Sequence, residues 1–147
     1  MSQVSKYVLS KDVYNEIFNT FLQTIASLNT KRAVLEFFNE FLTPNEKIMF
    51  SKRLAAGLLI SEGYDYKEIL ILLKTSTSTI ATFSSFYKYG ESYRKVIDKI
   101  KTNKEIGTFL LNMGEKIASI GSFGGKGSGM WRSVGKALKK RKSILLR

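Results

Sequence analysis

The sequence predicts an all-α fold, a bundle built around a helix-turn-helix, and three observations carry that expectation. Apolar residues recur at spacings of three and four along most of the 147 residues, the signature of helices with one buried face. The alternation of strands is missing, as are the Asn-Gly and Asp-Gly pairs that mark tight hairpins. Residues 43–90 read as a capped helix, then a short helix, a three-residue turn and a further helix that opens with hydroxyls.

The elements follow in order. Ser10 is placed to cap a first helix, with Val13, Ile17, Phe18, Phe21, Leu22 and Ile25 as its apolar stripe. Thr30 opens a second, whose apolar side is Val34, Leu35, Phe37, Phe38 and Phe41. A third starts at Thr43: Pro44 stands where a missing N–H costs nothing, and Glu46 completes a capping box. It should run to about Ser61 and stop at Gly63. The aromatic and aliphatic stripes of these helices are expected to form core.

Asp65 and Glu68 make a second capping box, opening a short helix whose buried side is Ile69, Leu70, Leu72 and Leu73. Lys74, Thr75 and Ser76 form the turn. The next helix starts near Thr77, and Ile80, Phe83 and Phe86 pack it back on the helices before. A turn of this kind usually holds glycine. If Lys74 takes a positive φ instead, the cost is on the order of 1 kcal/mol. Residues 91–101 supply a closing helix, and 104–120 another with Ile106, Phe109, Leu110, Met113, Ile117 and Ile120 on one face. The segment 121–129 has five Gly in nine residues and reads as a flexible link to a basic, amphipathic end, 130–147. The expected organisation is a helical domain over 1–101, with the helix-turn-helix at about 65–88, and a C-terminal extension over 102–147.

Composition bounds the function. The chain lacks both Cys and His, which excludes disulfides, zinc fingers and Cys/His nucleophile pairs. A reducing, cytoplasmic setting fits. The N-terminus has no apolar run long enough for a signal peptide, and no window reaches the ~18 apolar residues of a membrane span. An enzyme is not expected, because the acids Glu46, Asp65 and Glu68 are explained by capping and GGKGSG lacks the spacing of a phosphate loop. Charge is uneven. Residues 1–90 hold 10 Lys/Arg and 8 Asp/Glu, whereas residues 91–147 hold 14 and 4. A near-neutral body with a basic tail suits a polyanion partner.

Within the helix-turn-helix, Thr77, Ser78, Thr79, Ala81 and Thr82 fall near the exposed end of the second helix, the part of such motifs that enters the major groove. Thr75 and Ser76 of the turn adjoin them. Hydroxyls reach base edges or phosphates, methyl groups of Ala and Thr touch the thymine methyl, and helix N-terminal amides favour phosphate. These residues point to double-stranded DNA.

The segment resembles the Trp repressor family over roughly residues 8–101. The residues that carry the resemblance are Leu42-Thr43-Pro44-x-Glu46, Arg53, Leu58-Leu59, Gly63, the YKEI at 66–69, the STSTI at 76–80 and Tyr89-Gly90. The resemblance implies an intertwined, all-helical homodimer acting as a transcriptional regulator, a repressor, on a near-palindromic site. It also implies a phosphate contact at Lys67, base-facing roles for Thr77, Ser78, Thr79 and Ala81, and a basic contact at Lys88. Thr43 and Arg53 match one side of the family's effector pocket. The second clamping arginine is replaced by Thr82, which has neither the charge nor the reach to hold a ring or carboxylate. A tryptophan corepressor is therefore not expected, no cofactor is assigned, and another small effector stays open. Arg53 is instead expected in an ion pair with Glu46 or Glu62, or at the surface.

The tail leaves three partners open. Lys136, Lys139, Lys140, Arg141 and Lys142 can grip DNA phosphates, lie on an anionic membrane, or flank an apolar stripe docked on a protein. The competing function is a basic helical interaction protein that binds nucleic acid without sequence preference, or a membrane surface, through this tail.

Overall fold

The computed structural model describes residues 9–122, and these hold seven α-helices and no strand. They are α1 (Lys11–Ser27), α2 (Lys31–Phe41), α3 (Pro44–Ser61), α4 (Tyr66–Leu73), α5 (Thr77–Tyr89), α6 (Glu91–Ile100) and α7 (Lys104–Ser122). The last turn of α7 continues into the stretch expected to be a link. The rest of that link and the basic end 130–147 lie outside the described residues. No described helix is long and apolar enough to cross a membrane.

Local chemistry sets the helix starts. Ser10 and Thr30 accept from Val13 N–H and Ala33 N–H at 3.4 and 3.1 Å. At the start of α3 the box is reciprocal: Thr43 N–H donates to Glu46 Oε2 at 2.9 Å, and Glu46 N–H to Thr43 Oγ1 at 3.3 Å. These bonds, the backbone one first, hold the Glu46 carboxyl below its ordinary range. Asp65 and Glu68 form a second complete box, with Asp65 N–H donating to Glu68 Oε2 at 2.7 Å. Gly63 ends α3 at φ 81°, where glycine carries no Cβ penalty.

The chain divides into two compact units between Lys47 and Ile48. In the first, α1 and α2 carry the expected apolar stripes, but neither helix buries a residue. Ile17 and Leu35 stay 55% and 59% exposed. Two short helices have too little surface to cover each other's apolar faces, so the core expected there does not form between α1 and α2. Instead Phe18, Phe21, Phe37 and Phe41 line an open apolar cleft of about 500 Å³, with Phe37 and Phe41 stacked at 5.0 Å between centroids.

The second unit has a closed core. Leu58 and Leu59 of α3, Ile69 of α4, Ile80 of α5, Ile97 of α6, and Leu110 and Ile117 of α7 are all essentially inaccessible. Each such side chain contributes about 1.5–3 kcal/mol relative to leaving it exposed. Helix α7 packs against α4. Its buried positions, Gly107, Leu110, Gly114 and Ile117, recur at three and four.

A polar network closes the far edge. Lys101 Nζ lies 3.2 Å from Asp98 Oδ1 and 3.5 Å from Glu62 Oε1, and donates to the Ser61 carbonyl at 3.4 Å. Tyr87 Oη donates to Asp98 Oδ1 at 2.9 Å. The end of α3 is thereby tied to α5 and α6. Glu62 faces Lys101 and Glu46 is taken up by Thr43, so neither forms the ion pair expected for Arg53. That guanidinium lies at the surface, 5.7 Å above the Phe50 ring with Nη2 3.6 Å from Met49 Sδ. A helical neighbour one turn away is nearer than either acid.

Candidate nucleic-acid interface

The helix-turn-helix comprises α4, the turn at Lys74–Ser76, and α5. Helix α4 is only eight residues long and is held by its capping box, by Ile69 in the core and by packing against α7. It stops because Lys74 enters the left-handed region at φ 46°, ψ 59°. Lys74 N–H and Thr75 N–H both return to the Leu70 carbonyl, the second at 3.4 Å, the closure that glycine normally supplies. Among the described residues Lys74 is the one non-glycine with positive φ. The expected cost of that conformation is met by a contact sequence reasoning did not find: Lys52 of α3 donates from Nζ to the Lys74 carbonyl at 3.0 Å.

Ser76 then caps α5. Its Oγ accepts from Thr79 N–H at 3.2 Å and lies 3.0 Å from Ser78 Oγ and 2.8 Å from Thr79 Oγ1. The hydroxyls expected to read DNA thus form a mutually bonded cluster at the helix end. Thr82 Oγ1 donates back to the Ser78 carbonyl at 2.9 Å. That bond leaves the Thr82 oxygen its acceptor capacity and fixes the rotamer that carries its methyl.

Exposure sorts the candidates. Thr77, Ser78, Ala81 and Thr82 are exposed, as is Ser76, while Thr75 and Thr79 are half-buried. Ile80 is fully buried on the opposite side, and Phe83 is half-buried. The exposed hydroxyls and methyls thus share one side of the first turns of α5. Exposed Ser85 continues that side, four residues after Ala81, a spacing that could have found it. A hydrogen bond between the Tyr66 and Ser84 hydroxyls ties α4 to α5.

Lys67 lies in the first turn of α4, exposed, with its backbone N–H on Asp65 Oδ1 at 2.8 Å. Lys88 sits near the other end of α5, roughly 15 Å along the axis from Ser78, with Nζ 5.2 Å above the Tyr89 ring. Lys88 is thus set apart from the hydroxyl cluster along α5, and Lys67 belongs to the preceding helix. Thr43 Oγ1 donates to Glu46 Oε2 at 2.8 Å, and Arg53 rests on Phe50. Lys136, Lys139, Lys140, Arg141 and Lys142 lie outside the described residues.

Among known families, a model described as Trp repressor protein matches residues 16–102. That span takes in α2 to α6 and most of α1, and α7 begins beyond it. No curated protein and no solved structure matches the chain.

Proposed function

This chain belongs to the Trp repressor family, whose members are DNA-binding transcription regulators, and on that premise we propose that it reads a near-palindromic operator as a homodimer and represses transcription there. The observation that carries the reading is the end of α5, where Thr77, Ser78, Ala81 and Thr82 share one exposed side on a helix that a capped turn and Ile80 hold in place. Such a surface offers donors, acceptors and methyl groups to the major groove, and its amides lie toward phosphate. Thr75, Ser76 and Thr79 support the edge, and Lys67 and Lys88 contact the backbone on either side.

The open apolar face of α1 and α2 supports the dimer. Val13, Tyr14, Ile17, Phe18, Leu22, Leu35 and Phe41 are all more than two-fifths exposed in a single chain, an arrangement that calls for a second copy. The two α5 helices would then stand about one DNA turn apart. Regulation by tryptophan does not fit, because Thr82 holds the place of a clamping arginine. Thr43 and Arg53 remain the positions where another small effector would be sought. In the tail, Lys136, Lys139, Lys140, Arg141 and Lys142 add phosphate contacts.

Duplex binding by fluorescence anisotropy tests the proposal. A library-selected sequence is compared with scrambled DNA in rising salt, for the full chain and for a full chain with the five tail cations changed to Gln. A preference of at least ~10³-fold that survives loss of the tail charges, with a shallower salt slope, supports reading by α5. No preference in either protein, with all binding lost alongside the tail charges, overturns it.

A further inference from the structure

We infer that Lys52 is a positioning residue for the reading helix: its ammonium pins the strained turn at Lys74 and so sets how α5 meets DNA. The inference rests on the DNA-binding reading and adds to it a residue outside the helix-turn-helix. Lys74 adopts φ 46°, a region that residues with a Cβ avoid, so the turn has a standing tendency to relax. In that conformation its carbonyl leaves the α4 ladder and points toward α3. There the Lys52 ammonium donates to it at 3.0 Å across 22 residues of sequence, and a charged donor makes the stronger kind of hydrogen bond. Lys52 is half-buried, with its head on the turn.

The consequence follows from the chain's connectivity. Between the Lys74 carbonyl and Ser76, the cap of α5, lies a single residue, Thr75. Fixing that carbonyl fixes the peptide from which α5 departs, and with it the placement of Thr77, Ser78, Ala81 and Thr82. Base readout needs side chains held to a fraction of an ångström, whereas attraction to phosphate does not. Loosening the turn therefore harms discrimination before it harms general affinity.

The test uses the full-length protein, with selected and scrambled duplexes compared over a salt series. Lys52→Met keeps the stem and removes the ammonium. It should lower affinity for the selected site about tenfold, the scale of a lost charged hydrogen bond, while affinity for scrambled DNA and the salt slope hold. Lys52→Arg, which can still donate to the carbonyl, should restore most of the preference. In a Lys74→Gly background the turn is unstrained, and Lys52→Met should then change the preference less than twofold.

Two results overturn the inference. Equal weakening on both duplexes, with a salt slope shallower by about one, would make Lys52 a plain phosphate contact. A loss of preference that is the same with and without the Lys74→Gly change would separate Lys52 from the turn. Should Lys52→Met alone fail to fold, the comparison within the Lys74→Gly background, with Lys52→Arg beside it, decides the matter. Failure of the DNA reading itself shows earlier, as no preference in the unaltered protein.

Discussion

The Tyr93 hydroxyl of α6 lies against the backbone of α3 at Gly57, in the space a side chain there would need. A Cβ built on Gly57 would overlap that hydroxyl and sit 3.0 Å from Tyr93 Cζ. Gly57 therefore stands in mid-helix, at a cost of about 1 kcal/mol against alanine, because α6 approaches α3 there. Tyr93 also packs on Phe83 and Phe86 at 6.4 and 6.2 Å between centroids. Its hydroxyl is buried without a hydrogen-bond partner, and burial pushes the phenol above its ordinary pKa.

Opposite stability effects follow at these two positions. Gly57→Ala forces the ring outward and should destabilise by about 1–3 kcal/mol, the usual range for overpacking. Tyr93→Phe deletes a polar group that gains nothing from the interior and should stabilise by about 1 kcal/mol or more. In urea titrations the double variant should be more stable than the sum of the two single effects, because removing the hydroxyl opens the space that the alanine methyl needs. Additive effects would show that the two residues do not meet.

A charge on the α2 face tests the dimer. In a lone chain Leu35 is 59% exposed, so Leu35→Asp would be nearly harmless to a monomer. Buried against a second copy, an unpaired carboxylate costs on the order of 3 kcal/mol, which is a hundredfold or more in dimer affinity. Sedimentation equilibrium should show the unaltered protein at the mass of two chains and the variant dissociating. A variant as dimeric as its parent would place the interface elsewhere.

The Tyr87–Asp98 bond predicts loss of stability at both ends of the pH scale. Partial burial pushes the Asp98 carboxyl up, but the bonds from Tyr87 and Lys101 and the charges of Lys101 and Arg94 outweigh it and hold the group below its ordinary 3.8. A lowered carboxyl stabilises the fold above its unfolded pKa, and that contribution disappears as pH falls through the folded value. Burial, then the bond to Asp98, raises the Tyr87 phenol above 10.0. The unfolded chain then ionises first, so stability declines as pH rises beyond about 10. Urea midpoints for Asp98→Asn should fall less steeply below pH 4, and those for Tyr87→Phe less steeply above pH 10. Curves parallel to the parent's would mean the pair carries no linkage.

Local chemistry made the helix starts legible. Ser10, Thr30, Thr43 with Glu46, Asp65 with Glu68, and Ser76 each bond to amides two or three residues away, so nothing distant decides them. The exposed side of α5 was legible from apolar spacing, since buried Ile80 and half-buried Phe83 orient the helix, whereas Phe86, expected to pack back with them, is 49% exposed and meets Tyr93 of the following helix. Burial in α1 and α2 was not legible, because apolar spacing says that a face needs covering and not whether the same chain covers it. Lys52 was missed since its partner is 22 residues away and its own surroundings carry no signal. Gly57 was an anomaly inside a helical pattern, yet only the packed structure names Tyr93 as its cause.

The N-terminal end of α5, proposed to read DNA, admits a test in which folding and binding move apart. Thr79 occupies the third position of the helix, its N–H on Ser76 Oγ at 3.2 Å. A carboxylate there faces the positive end of the helix dipole and should stabilise by roughly 0.3–1 kcal/mol. The melting temperature of Thr79→Asp should therefore hold or rise. On DNA the same carboxylate stands among phosphates, where like charges in contact cost several kcal/mol. Anisotropy should show binding to the selected duplex reduced by about two orders of magnitude or more while the dimer stays intact. If a folded, dimeric Thr79→Asp protein binds as its parent does, the N-terminal end of α5 does not face the groove.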